Sequence, residues 1–428
     1  MKNIDRRGFL QGAGLTLAAL PIWGSGLNGG AAAGSSADQL FKAGRFDSAD
    51  RAYARLLRED PDNVHAIAQR GYIALLANRF GSAERFLARA VSLAPSDIAA
   101  KQRLAECYVR QDRHPRAIPL LRQTGRPNDE AFAQLYSHLG GAPWQVHGAQ
   151  STRIPMTGLE PLPTVEASIN GGSPKRFLLD TYGTLGVSKE VAEEAGLRAV
   201  ATTTGQVGDT PITGYLGVLP SFRLGDVELR NVPVGWGDGA GPSMPPLPDG
   251  SQPAGVIGTT TFYHFLTTMD YAGKALVLRR RTEAQFRKFR EGLARSRFDK
   301  LPLWLAGDHF PCTMGSLRDY GPRIVTVDTG GLNQGFNTTI EIAERAGIEV
   351  DYDQPQFPPG SGRYPITADR ISLGSAVGRD VRGWAGPGGP GPGQSERFGF
   401  DAIANVSHLF FKPFAITFDY ARMHLYIA

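Results

Sequence analysis

Ile324-Val325-Thr326-Val327-Asp328-Thr329-Gly330-Gly331 is an apolar, β-branched run that ends on an acid, a hydroxyl and two glycines. Such residues pack well on a buried pleated surface, and glycine admits a tight turn. The stretch therefore predicts a buried strand that delivers a carboxylate at its mouth. A second copy stands 148 positions upstream, as Arg176-Phe177-Leu178-Leu179-Asp180-Thr181-Tyr182-Gly183.

The segments downstream of the two copies match as well. Ser188 to Leu197 and Thr338 to Ile348 both read as short helices, capped at the front by a hydroxyl residue and stopped by glycine. Phe222-Arg223-Leu224-Gly225 answers to Ile371-Ser372-Leu373-Gly374, and Thr268-Met269-Asp270-Tyr271 to Thr417-Phe418-Asp419-Tyr420. The offset stays at 148 to 149 through these pairs. The C-terminal two-thirds is thus an internal duplication in which each half supplies one aspartate from a strand end.

With Leu179-Asp180-Thr181, Val327-Asp328-Thr329-Gly330 and Val256-Ile257-Gly258, the chain from about residue 152 onward resembles the two-lobed aspartic proteases, in particular the bacterial retropepsin-like proteins. The second-lobe counterpart of Val256-Ile257-Gly258 reads as Ala402-Ile403-Ala404. One departure stands out: Tyr182 occupies the place of the first-lobe glycine. The resemblance implies a mainly-β, two-lobed domain with Asp180 and Asp328 as the catalytic pair. It gives Thr181, Thr329, Gly183 and Gly330 supporting roles and makes Gly205 to Leu219 a flap over the cleft, with Tyr215 as its candidate polar contact. It also implies a peptide or protein substrate, no metal or cofactor, and a monomer sufficient to complete the pair. Two neighbouring carboxyls cannot both ionise easily, so they share a proton and can act as base and acid on one water.

Upstream the pattern changes. Asp5-Arg6-Arg7-Gly8-Phe9-Leu10 followed by the apolar Leu15 to Trp23 and then Ala31-Ala32-Ala33 reads as a signal peptide over residues 1–33. It resembles signals read by the twin-arginine (Tat) translocon, which implies export, to a periplasm, with no stable membrane anchor. From 36 to 126 the periodicity is helical. Ala49, Ala83 and Ala117, Phe46 and Phe80, and Pro61 and Pro95 recur at 34 residues, the period of tetratricopeptide repeats. His114 takes the aromatic position in the third copy. Such a solenoid has two readings: a groove for a protein partner, or a spacer docked on the neighbouring domain.

Residues 127–151 read as a connector with one helix, Glu130 to Leu139. Lobe 1 then spans 152–280, a basic linker 281–298 and lobe 2 299–428. The linker's Phe286, Phe289 and Leu293 fall at helical spacing. Trp384 to Gly393 is glycine- and proline-rich and reads as a loop. The formal charge is +5, too small to indicate nucleic acid. His309 and Cys312 lack a second ligand pair and read as packed residues, and Cys107 and Cys312 fall in different domains. The expected architecture is a helical repeat solenoid followed by a two-lobed β domain. The expected activity is that of an aspartic endopeptidase, with a catalytically silent peptide-binding relative as the alternative.

Overall fold

The computed structural model describes residues 36–207, 210–238, 244–293, 297–356, 360–387 and 397–428. The expected signal peptide and its cleavage site lie outside the described residues. Helices open the described chain: α1 (Ser36–Lys42), α2 (Phe46–Glu59), α3 (Val64–Leu76), α4 (Phe80–Leu93), α5 (Ile98–Val109), α6 (His114–Arg122) and α7 (Pro127–Ser137). They pack as consecutive pairs with α7 against α6. The periodic alanines Ala49, Ala83 and Ala117 are wholly buried, because a methyl is all that fits between helices this close. After Pro61 and Pro95 come Asn63 and Asp97, whose side chains accept from the Ala66 and Ala100 amides at 3.0 Å and so start α3 and α5. His114 fills its aromatic position in earnest, buried edge-on against Tyr136 at 4.5 Å between ring centres.

The β domain begins with β1 (Gln145–Gly148), β2 (Ser151–Gly158), β3 (Thr164–Ile169), β4 (Lys175–Asp180) and β5 (Gly186–Val187). After α8 (Lys189–Glu194) come β6 (Ala201–Val207), β7 (Thr210–Leu224), β8 (Val227–Gly237) and β9 (Gly255–Gly258). The short α9 (Thr259–Phe262) leads to β10 (Phe265–Asp270) and β11 (Ala275–Arg280), and α10 (Glu283–Leu293) crosses to lobe 2. There β12 (Asp299–Pro302), β13 (Trp304–Ala306), β14 (Phe310–Leu317), β15 (Tyr320–Asp328) and β16 (Phe336–Thr338) precede α11 (Ile340–Arg345). The chain closes with β17 (Tyr364–Leu373), β18 (Ala376–Ala385), β19 (Ala404–Ser407), α12 (His408–Phe411), β20 (Ala415–Asp419) and β21 (His424–Ile427).

Under both lobes runs a shared antiparallel layer ordered β12-β21-β20-β10-β11-β2. In it Thr268 faces Thr417, hydroxyl to hydroxyl at 2.7 Å. These two residues hold matched places in the duplicated halves, so an approximate twofold axis passes between them. The same axis relates β4 lying parallel to β9, with Asp180 opposite Gly258, to β15 lying parallel to β19, with Asp328 opposite Ser407. This register corrects one sequence reading. The counterpart of Val256-Ile257-Gly258 is Asn405-Val406-Ser407, three residues beyond Ala402-Ile403-Ala404. The 149-residue offset holds here too, and short apolar triplets are too alike to fix a register alone.

Part of the connector is structured: α7 begins on Pro127, a residue suited to a first helical turn, and β1 pairs with β8. The basic linker is helical as its spacing predicts, with Phe289 packed edge-on against Tyr426 at 5.2 Å. Trp384 and Ala385 end β18 rather than sit in a loop, and 388–393 lie outside the described residues.

The face presented by α1, α3, α5 and α7 is covered by the chain's own β domain. Asp401 N donates to Lys42 O at 2.7 Å, Tyr72 Oη to Phe398 O at 3.1 Å, and Asn78 Nδ2 to Tyr420 O at 2.9 Å. Arg110, buried and ion-paired with Glu106, reaches across to Leu305 O at 2.8 Å and to Gly307 O. Asn128 pairs with both main-chain groups of Thr204. Phe41 and Phe46 pack on Phe400, and Phe46 on Trp304, with ring centres 5.0 to 6.1 Å apart. Of the two readings of the repeats, the docked one describes this arrangement.

Candidate active site

Asp180 and Asp328 end β4 and β15 on either side of the twofold axis, both essentially without solvent exposure. Their turns interlock. Thr181 N donates to Thr329 Oγ1 and Thr329 N to Thr181 Oγ1, each at 3.0 Å. Thr181 Oγ1 in turn donates to Val327 O at 2.8 Å, and Thr329 Oγ1 to Leu179 O at 3.2 Å. Four buried bonds thus join the two strand ends, and neither carboxyl can drift without breaking bonds that water cannot replace.

Each carboxylate also receives a main-chain amide from its own turn: Tyr182 N to Asp180 Oδ1 at 2.7 Å and Gly330 N to Asp328 Oδ1 at 2.8 Å. The symmetry stops there. Asp328 Oδ2 accepts from Asn405 Nδ2 at 2.7 Å, and Asn405 Oδ1 is itself held by Thr326 Oγ1 at 2.7 Å. Asp180 Oδ2 is buried and, among the described residues, has no such donor. Burial, and then the charge of Asp328, hold the Asp180 carboxyl well above the usual range. Burial raises Asp328 too, but the Asn405 amide and the Gly330 amide oppose it. The pair titrates as a unit, and its hydrogen bonds favour the form with the proton on Asp180 and the charge on Asp328.

Gly330 is required by space rather than by backbone conformation. Its φ is not in the left-handed region, whereas a Cβ there would lie 2.1 Å from Asp180 Cγ. Gly183 is roomier, with the nearest atom 3.3 Å from an added Cβ. Tyr182, the departure in lobe 1, keeps its amide on Asp180 and turns its ring away. The ring lies edge-on to Phe310 at 4.6 Å, and its hydroxyl bonds to Thr326. From Phe310 the aromatic contacts continue through Phe398 to Phe400 and so to Phe41 and Phe46 of the repeats. The tyrosine therefore ties the Asp180 turn to the helical domain.

Tyr215 lies on β7 opposite Trp236, its ring 5.9 Å from the indole. Among the described residues it makes no hydrogen bond to either aspartate. Helix α7 packs along the hairpin that carries Tyr215, β6 and β7. His309 bonds to neighbouring Asp308, and Cys107 and Cys312 are free and buried. Asn405 escaped the sequence reading, although the constant offset applied to Val256 points to it.

Residues 165–261 match the family model of aspartyl proteases, and residues 36–98 and 74–139 match models of tetratricopeptide repeats. The chain carries an aspartyl protease domain after its repeats. No curated relative matches the chain. It is similar over 24% of its length to the structure of a mutant Thermobaculum terrenum O-GlcNAc transferase, with 24% identity and a TM-score of 0.23, covering 21% of that chain. Among the described residues no helix is long and apolar enough to cross a membrane.

Proposed function

We propose that the protein is an aspartic endopeptidase, exported by the twin-arginine route to a periplasm, whose two duplicated lobes supply Asp180 and Asp328. The observation that carries this reading is the interlocked pair of Asp-Thr turns, with one carboxyl favoured to keep its proton and the other to carry charge. Asp328 takes a proton from a water as its oxygen attacks the peptide carbonyl, while Asp180 gives its proton to the carbonyl oxygen. When the resulting diol collapses, the leaving nitrogen takes the proton from Asp328 and a diol hydroxyl returns one to Asp180. Both acids end as they began. Thr181, Thr329, Gly183 and Gly330 hold the geometry, and the hairpin bearing Tyr215 closes over the peptide.

A second reading, a silent peptide-binding relative, is favoured by the near-complete burial of both aspartates. Cleavage of a diverse peptide library from mildly acidic to neutral pH, beside Asp180→Asn and Asp328→Asn proteins, separates the two. Products that appear with the parent and vanish in both variants support the enzyme. Folded parent that binds peptides and yields no variant-sensitive product supports the silent relative.

A further inference from the structure

Two pockets, one in each lobe, are counterparts under the twofold axis. Leu185, Leu216 and Val234 line one; at the same 148- to 149-residue offset, Asn333, Pro365 and Gly383 line the other. Leu185 and Asn333 each stand five residues beyond a catalytic aspartate, no more than about 18 Å along the chain. Leu216 belongs to the flap-like hairpin. Symmetry of position is not matched by symmetry of character. The lobe 2 pocket measures about 830 Å³ and is bordered by Glu349, Asp351 and Arg382. The lobe 1 pocket measures about 90 Å³ and is lined by Val109, Phe132 and Leu135 of α5 and α7, with Arg110, Asp112 and Asp308 beside them.

We propose that the lobe 1 pocket is a recognition site for a branched aliphatic side chain of the peptide substrate, and that the helical repeats form its selective wall. The proposal rests on the peptide-cleaving reading of the same dyad and adds the repeats to its substrate site. Size argues for an aliphatic group, since an apolar cavity that takes benzene measures about 150 Å³. The buried polar groups argue for a peptide rather than a free hydrocarbon. His114 Nδ1 and the Tyr263 hydroxyl both line the pocket, are buried and, among the described residues, make no close hydrogen bond. A peptide entering beside them offers an N–H to one and a carbonyl to the other, while the side chain fills the apolar space between. Burial holds His114 down at about 4, so it is neutral and able to accept at neutral pH.

The test uses the full chain and paired peptides that differ only by leucine, tryptophan or alanine a few residues from the cleaved bond. Val109→Phe narrows the pocket from the repeat side and Leu135→Ala widens it. Leucine peptides are expected to lose at least about tenfold in kcat/KM with Val109→Phe, mostly through KM, while alanine peptides stay within about twofold. Leu135→Ala shifts preference toward tryptophan. Circular dichroism confirms that each variant is folded, and either variant alone suffices for the test. If both cut with the parent's preferences, the pocket proposal is overturned while the protease stands. If no peptide is cut, binding of the same peptides is read by fluorescence anisotropy. Leucine-dependent binding weakened by Val109→Phe then supports the pocket without the protease, and binding indifferent to both variants overturns it.

Discussion

Replacing Tyr182 by glycine would give lobe 1 the turn that lobe 2 already has. The geometry separates two roles that this one residue holds. Its amide serves Asp180 and survives the change, whereas its ring, about nine-tenths buried, serves the junction with the repeats. A tyrosine buries roughly 150–250 Å², worth about 4–6 kcal/mol at ~25 cal/mol/Å². Measured losses for deleting a buried aromatic run about 3–5 kcal/mol, and glycine adds about 0.5–1 kcal/mol through chain entropy. Tyr182→Gly is therefore expected to weaken the repeat-to-protease junction by about 4 kcal/mol. Tyr182→Phe, which loses only the bond to Thr326, should cost about 1 kcal/mol.

The assay is hydrogen exchange measured along the chain, together with peptide cleavage. Exchange should accelerate in α1 to α3 and across 397–403, while the interior of β4 and β15 stays protected. Cleavage should stay within about tenfold of the parent, because the Asp180 amide bond persists. An unchanged exchange pattern combined with a hundredfold or greater rise in activity would refute this account. That outcome would mean that the ring obstructs the catalytic water and anchors nothing.

Gly330→Ala should abolish cleavage, since its Cβ would lie against the Asp180 carboxyl, whereas Gly183→Ala should retain most of it; comparing kcat for the two checks this. Arg110→Ala leaves Glu106 buried without its cation and should destabilise the chain by about 3–5 kcal/mol in denaturant unfolding, with Glu106→Gln recovering part of the loss. Asp180→Asn should raise the melting temperature near neutral pH. The folded-state pKa of Asp180 lies above its ordinary 3.8, so the parent loses stability as pH rises from the unfolded value through the folded one. The amide variant escapes that loss. The difference in melting temperature should vanish near about pH 3, where the carboxyl is protonated in both folded and unfolded chains.

Much of the fold was legible because repetition is a long signal. The 34-residue alanines and the 148-residue offset each rest on several residues, and both survive as buried helix contacts and as the twofold layer through Thr268 and Thr417. The facing of Asp180 and Asp328 was legible for the same reason. Tyr182 was visible only as a departure, since sequence reveals that a side chain is large and not which way it turns. The docking of the repeats was hidden because its bonds join Tyr72 to Phe398 and Arg110 to Leu305, partners with no periodic relation. Asn405 was missed through a register three residues short. In an apolar stretch nothing marks the polar residue that will meet a carboxylate, unless the offset is trusted over local likeness.

That asparagine also decides how the two equal-looking aspartates differ. Val256 holds the matching place in lobe 1, so Asn405→Val makes the two surroundings alike. The substitution removes a donor that favours the charged Asp328, so the Asp328 pKa rises further and the acid limb of kcat/KM moves to higher pH. It also strands the Thr326 hydroxyl that now donates to Asn405, at a cost of about 1–3 kcal/mol. Adding Thr326→Val together with Tyr182→Phe, so that neither hydroxyl is left stranded, should recover most of that stability and leave the pH profile displaced. An acid limb unmoved in both variants would mean that Asn405 only fills space beside Asp328, and the charge would then have to be placed by the protein field as a whole.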